Sequence, residues 1–228
     1  MAEYVEFDTP KGPKLYKIGK FSFSNVEFAH LSIAFLILAL TLFARNVHIM
    51  SSDVSGQIIG LLTSSEFLFE FSAFMLAFGF GFILHEFAHK LVAQHYGFVS
   101  EFRADMFMLV AMFILAWVSP IIFLAPGAVI ILTRHISKKQ NGIISVAGPL
   151  INLILAVIGI ILALIFTGGF MSIFAMNLIW INAYLGIFNM IPLWVLDGRK
   201  VLAWNKPVYF SLLSALLLIL ILVNIGYF

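Results

Sequence analysis

Hydrophobic runs dominate the chain, and polar stretches long enough to be loops occur only at 1–27, 45–66, 99–105, 134–141 and 198–207. Between them lie apolar segments at about 28–44, 67–96, 142–166, 170–196 and 208–226, each near the roughly 20 residues a helix needs to cross a bilayer. The run from Met106 to Leu132 is also apolar. Ser119-Pro120 and Ala125-Pro126-Gly127 break it and leave a first helical piece, to Val118, that is short for a crossing. The pattern predicts an all-α polytopic membrane protein of about five to six transmembrane helices, with a re-entrant element or short hairpin after the second span. Composition agrees: of 228 residues, 62% are hydrophobic and 11% charged, far more apolar surface than a soluble core of this size could hide. No internal repeat is apparent. A single integral-membrane domain over 1–228 is expected, with a polar N-terminal segment at 1–27 and a functional core at about 67–200.

Charge suggests how the chain threads. Lys11, Lys14, Lys17 and Lys20 put the N-terminus on the cytoplasmic side, and loop 45–66, with Asp53 and Glu66 against Arg45, outside. Arg103 precedes the interrupted run, and Arg134, Lys138 and Lys139 follow it. Both groups lie inside only if 106–132 enters and returns, as a re-entrant element or as two tilted short helices. The same parity puts Arg199, Lys200 and Lys206 inside. The basic residues flank membrane segments instead of forming a nucleic-acid surface, so the lipid bilayer is the expected partner and nucleic acid is not. The long polar lead, with no small-residue cleavage site after the first apolar run, reads as a retained span and not a signal peptide.

One segment breaks the apolar pattern with chemistry. His85-Glu86-Phe87-Ala88-His89 lies between FGFGFIL and KLVA, at a depth where ionisable groups are costly and usually functional. Histidines at i and i+4 share a helix face and can bind one metal, while Glu86 can act as general base toward a water there. The chain has no cysteine, which leaves histidine and carboxylate as strong metal ligands. The bland alternative is that the histidines hydrogen-bond neighbouring helices and Glu86 pairs with Lys90.

A catalytic zinc site needs a third protein ligand. His95 has the spacing of soluble HExxHxxGxxH proteases, but Val92 stands where their glycine turns the chain, so a continuing helix would point His95 away. Asp197 is better placed. It ends the 170–196 run within Asn189-Met190-Ile191-Pro192-Leu193-Trp194-Val195-Leu196-Asp197-Gly198, where Pro192 frees backbone groups and Gly198 permits a bend. Its competing reading is a surface pair with Arg199 or Lys200.

These motifs together resemble the site-2 protease family of intramembrane zinc metalloproteases: HEFAH at 85–89, AGPLIN at 147–152 and NMIPLWVLDG at 189–198, in the family's order and over roughly residues 70–200. The resemblance implies His85, His89 and Asp197 as ligands of one Zn2+ per chain, and Glu86 as the catalytic base. It further implies Asn152 and Asn189 as possible oxyanion or substrate contacts, and hydrolysis of a peptide bond in a transmembrane protein substrate near the cytoplasmic face. Two departures bear on the local shape: Leu193, Trp194 and Val195 stand where relatives often have further prolines, and Arg199 follows Gly198 in place of a second glycine. Residues 106–118 look inserted relative to shorter members, and IIFLAPGAVII resembles the short strands that follow the catalytic helix in relatives. The other classes compatible with the same ionisable set are a metal-ion transporter and an inactive scaffold that binds transmembrane partners.

Overall fold

The computed structural model describes residues 15–18, 21–50, 64–118, 127–133, 135–193 and 195–227. Strands β1 (Leu15–Ile18) and β2 (Phe21–Ser24) form an antiparallel hairpin that runs into helix α1 (Asn25–Met50). Helix α2 (Ser65–His95) follows, then β3 (Val99–Ala104), α3 (Met106–Val118) and β4 (Gly127–Leu132). The chain ends with α4 (Lys138–Ile165), α5 (Gly169–Asn189), the short α6 (Asp197–Trp204) and α7 (Lys206–Asn224).

Helix boundaries follow local chemistry. Ser64 caps α2 by accepting the Phe67 N–H, and Ser137 with Gln140 forms a reciprocal capping box at α4. Asn205 accepts the Val208 N–H at the start of α7. At the other end of α2, Gly97 adopts φ 82°, a conformation that costs glycine little, and redirects the chain into β3.

Among the described residues, α2, α4, α5 and α7 are long and apolar enough to cross a membrane, the signature of a multi-pass membrane protein. The described apolar part of α1, Asn25–Thr41, and α3 are shorter. The expectation of an all-α protein is corrected to a mostly helical one: among the described residues, four strands form two small sheets. The stretch 99–105, expected as a loop, is largely β3, paired antiparallel with β4 from Val99↔Leu132 to Ala104↔Gly127. Its polar letters hid a half-buried alternation: Ser100 and Phe102 are enclosed, while Val99 and Glu101 are not. The expected strand-like element at 127–132 is present as β4, and the expected span to 196 stops as a helix at Asn189.

Helices α2, α4 and α5 pack through small residues, with Ala77, Ala156, Ala175 and Ala183 fully buried. A series of rings then carries the packing toward β3: Phe78 stacks on Phe82 at 6.2 Å, and Phe82 meets Phe102 edge-on at 5.9 Å. This seats the β3–β4 hairpin beside the part of α2 one turn below His85.

Candidate metal centre

Three elements converge on one point. Helix α2 presents His85 and His89 on one face, as their i, i+4 spacing requires. Helix α4 supplies the wall behind them, and the start of α6 supplies Asp197. The last depends on the segment after α5. There Pro192 has no N–H to continue a helix, and the chain closes into turns with Leu193 N–H to Ile191 O at 2.8 Å and Leu196 N–H to Leu193 O at 3.0 Å. Gly198 then rests on Met190: a Cβ there would lie 2.8 Å from Met190 Cα and would run into the carbonyl group. Only glycine allows this approach, which turns Asp197 inward.

The ligand atoms are close together. His89 Nε2 lies 3.0 Å from His85 Nε2, and Asp197 Oδ2 lies 3.0 Å from His89 Nε2 and 3.4 Å from His85 Nε2. All three side chains are buried. Each imidazole is oriented from behind: His85 Nδ1 donates to Asn152 Oδ1 at 2.6 Å and His89 Nδ1 donates to the Ile144 carbonyl at 2.8 Å, which turns both Nε2 atoms to the centre. Asn152 is itself held, since its amide donates to Asn182 Oδ1 at 2.9 Å and to Gly81 O at 3.3 Å. Asn182 donates in turn to Leu178 O at 2.8 Å.

The residues fit a zinc ion. Two imidazole nitrogens and one carboxylate oxygen are a usual zinc donor set, and the three atoms lie within 4.8 Å of one another. Gly148 of α4 faces them, and a Cβ there would come within 2.6 Å of His85 Nε2 and would also run into His89 Nε2. The space between the rings is thus kept free by a glycine. Glu86 Oε2 is buried beside them with no hydrogen-bond partner among the described residues, a polar atom left for a group bound at this point to satisfy. A cavity of about 90 Å3 opens onto this point, lined by Glu86, Val129, Asn189 and Lys200 among others.

Over 193 residues, covering 83% of this chain and 90% of the relative, the sequence is 38% identical to a protein of Methanocaldococcus jannaschii named "Putative zinc metalloprotease MJ0611". The chain belongs to this zinc metalloprotease family. A second protein of the same organism, "Zinc metalloprotease MJ0392", is 29% identical over 148 residues, which span 64% of this chain and 37% of that relative. No family model and no solved structure matches the chain.

In this zinc metalloprotease, His85, Glu86, His89 and Asp197 are brought together. Asn189 also lines the cavity, with its amide donating to Leu185 O at 3.0 Å. Asn152 stands behind His85, fully buried. Asp197 keeps a contact of 3.7 Å with Lys200, yet it is enclosed with the histidines and not part of a surface pair. Helix α2 continues through His95, which is exposed and packs near Tyr96, apart from the group. Asp105 caps α3 by accepting the Phe107 and Met108 N–H groups. Asp53 lies outside the described residues. Sequence reasoning missed Asn182, although an asparagine within an apolar span is itself a signal. It also missed Gly148 as the glycine that keeps the centre open.

Proposed function

We propose that this metalloprotease is of the site-2 type and hydrolyses a peptide bond of a transmembrane protein substrate within the membrane. The observation that carries the reading is the buried His85–His89–Asp197 group with Glu86 beside it, set inside a 31-residue apolar helix. His85 and Tyr96 are eleven residues apart, or about 16 Å along α2, so the centre lies below the membrane edge and water reaches it through the cavity.

His85, His89 and Asp197 would hold one zinc ion. When bound, zinc supplies Lewis acidity, which makes a water easier to deprotonate near neutral pH and draws electron density from a carbonyl oxygen. Glu86 accepts the proton from the attacking water and delivers it to the departing amine. Asn189 lines the cavity and can donate toward the carbonyl oxygen as charge develops there. Asn152, whose amide and carbonyl are both engaged, serves His85 orientation. A helical substrate hides its carbonyls and must unwind locally; β4, which lines the cavity, offers an edge on which the unwound stretch can pair.

In this proposal α1 joins the four long helices as a fifth span, and α3 with β4 forms the re-entrant element. The lysine-rich N-terminus and the mouth of the site then face the cytoplasm.

The test uses purified protein in proteoliposomes with a synthetic transmembrane-helix peptide, with and without a zinc chelator. Chelation should abolish cleavage. Glu86→Gln should keep its zinc while cleavage falls by at least about 100-fold. Wild-type cleavage by that variant sinks the base assignment; no cleavage at all, with zinc flux that depends on Glu86, establishes a transporter.

A further inference from the structure

Away from the metal centre, two opposite charges share a site without solvent: Glu27 of α1 and Lys90 of α2 are both fully buried. Lys90 immediately follows the ligand His89 in sequence. Its ammonium bonds Glu27 Oε2 and sits 4.2 Å above the centre of the Phe23 ring. The other carboxylate oxygen, Glu27 Oε1, accepts the backbone N–H of Phe102 in β3 at 3.0 Å. A buried ion pair contributes little stability by itself, because desolvation offsets the attraction, and an apolar pair often fills the same space as well. An apolar pair cannot hold a strand amide at a fixed point.

The same edge of β3 is held twice more. The Ala104 N–H donates to His30 Nδ1 at 3.1 Å, one turn along α1 from Glu27, and Gln94 Nε2 donates to the Ser100 carbonyl at 3.2 Å. Backbone groups of alternate residues face the same edge, so 100, 102 and 104 face away from β4 and the ladder uses the residues between them. The register then turns the backbone groups of Gly127, Val129 and Ile131 toward the far edge of β4. Those three residues line the metal cavity. One edge of the hairpin is closed by side chains from α1 and α2, and the other borders the site.

We propose that Glu27 is a positioning residue. Its acceptor oxygen, with Lys90 serving to neutralise the buried charge, fixes the β3–β4 hairpin against the helix that carries the metal ligands, and so holds the edge of β4 at the centre in register to receive a peptide. The inference rests on the reading of β4 as the substrate-pairing strand.

Two double variants of the full chain separate this role from general packing. Glu27→Leu with Lys90→Met removes the charges and the acceptor for Phe102; Glu27→Gln with Lys90→Met removes the charges and keeps the acceptor. Zinc content, hydrogen exchange across residues 99–104 and steady-state cleavage of a synthetic transmembrane-helix peptide are measured for each. The leucine variant should keep its zinc and exchange across 99–104 about tenfold faster than wild type, as loss of one strand-holding hydrogen bond implies. Its KM should rise about tenfold with kcat within about twofold, and the glutamine variant should restore both readouts. The proposal is overturned if exchange in both variants matches wild type. It is equally overturned if the leucine variant loses zinc and exchanges faster throughout, or if kcat falls while KM holds. Should the wild-type protein leave the peptide uncut, the proposed function fails, and the exchange comparison alone decides whether Glu27 holds the strand.

Discussion

Replacing Gly148 by alanine adds one methyl group at the point where the two imidazoles converge, and its effect can be worked from the geometry. The new carbon would stand 2.6 Å from His85 Nε2, about 1 Å inside ordinary non-bonded contact. Neither ring can retreat freely, since His85 is held by Asn152 and His89 by the Ile144 carbonyl. Turning each ring about 30° off its rotamer costs about 0.5–1.5 kcal/mol, so two rings cost about 1–3 kcal/mol, the range expected for one surplus methyl in a packed interior. That strain acts on the metal-binding geometry and should weaken zinc binding about 5- to 150-fold. Competition against a chelator of known zinc affinity measures it directly. Gly159→Ala is the control in the same helix, because its added carbon would stand 2.8 Å from Ile179 Cγ1, remote from the centre. It should lower thermal stability and leave zinc affinity unchanged. Wild-type zinc affinity in Gly148→Ala would show that the metal does not sit between the two rings.

His85→Ala, His89→Ala and Asp197→Ala should each reduce zinc content of the purified protein to a small fraction, while His95→Ala leaves it intact; metal analysis in which only His95 matters would reassign the third ligand. Asn152→Leu, which removes the acceptor for His85 Nδ1, should weaken zinc binding about 10- to 100-fold with the helical content unchanged, as read by chelator competition and circular dichroism. In this cysteine-free chain, single cysteines placed at Arg103, Lys138 and Lys200 should all react with an impermeant thiol reagent from one side of the membrane. Labelling of Arg103 and Lys138 positions from opposite sides would refute the re-entrant path of 106–132.

The candidate site was legible because its chemistry contradicts its surroundings: His85, Glu86 and His89 stand out in an apolar run, and the helical period alone puts the histidines on one face. Asp197 was legible through its neighbours, since Pro192 and Gly198 announce a turn. The sheets were legible only in part. Strand β4 was expected as a strand-like element at 127–132 through the resemblance, whereas β3 reads as a charged loop because β4 begins 23 residues later, and pairing over that distance leaves no local mark in β3 beyond a weak alternation. Glu27 was hidden for a related reason. It lies in a stretch read as a polar lead, and its burial comes from α2 and β3 closing over it. Asn182 and Gly148 carry no periodic signal at all; their roles exist only once α4 and α5 stand behind α2.

The Ala104↔Gly127 pair closes the β3–β4 ladder on its far side from the Gly97 turn. Everything between, residues 105–126, leaves that pair and comes back to it, so this stretch is an excursion whose two ends are already joined. Closing such a loop costs only about 0.6 kcal/mol more for each doubling of its length. Its helix is anchored nonetheless, since Leu109 and Met112 are buried in one cluster with side chains of α1 and α2; the exposed positions, such as Phe107 and Val110, are the ones that can vary while the strand register, and with it the spacing between β4 and the candidate metal ligands, stays the same. Substitutions at those exposed positions would reshape an outer surface of the molecule and leave the His85–His89–Asp197 group where it is.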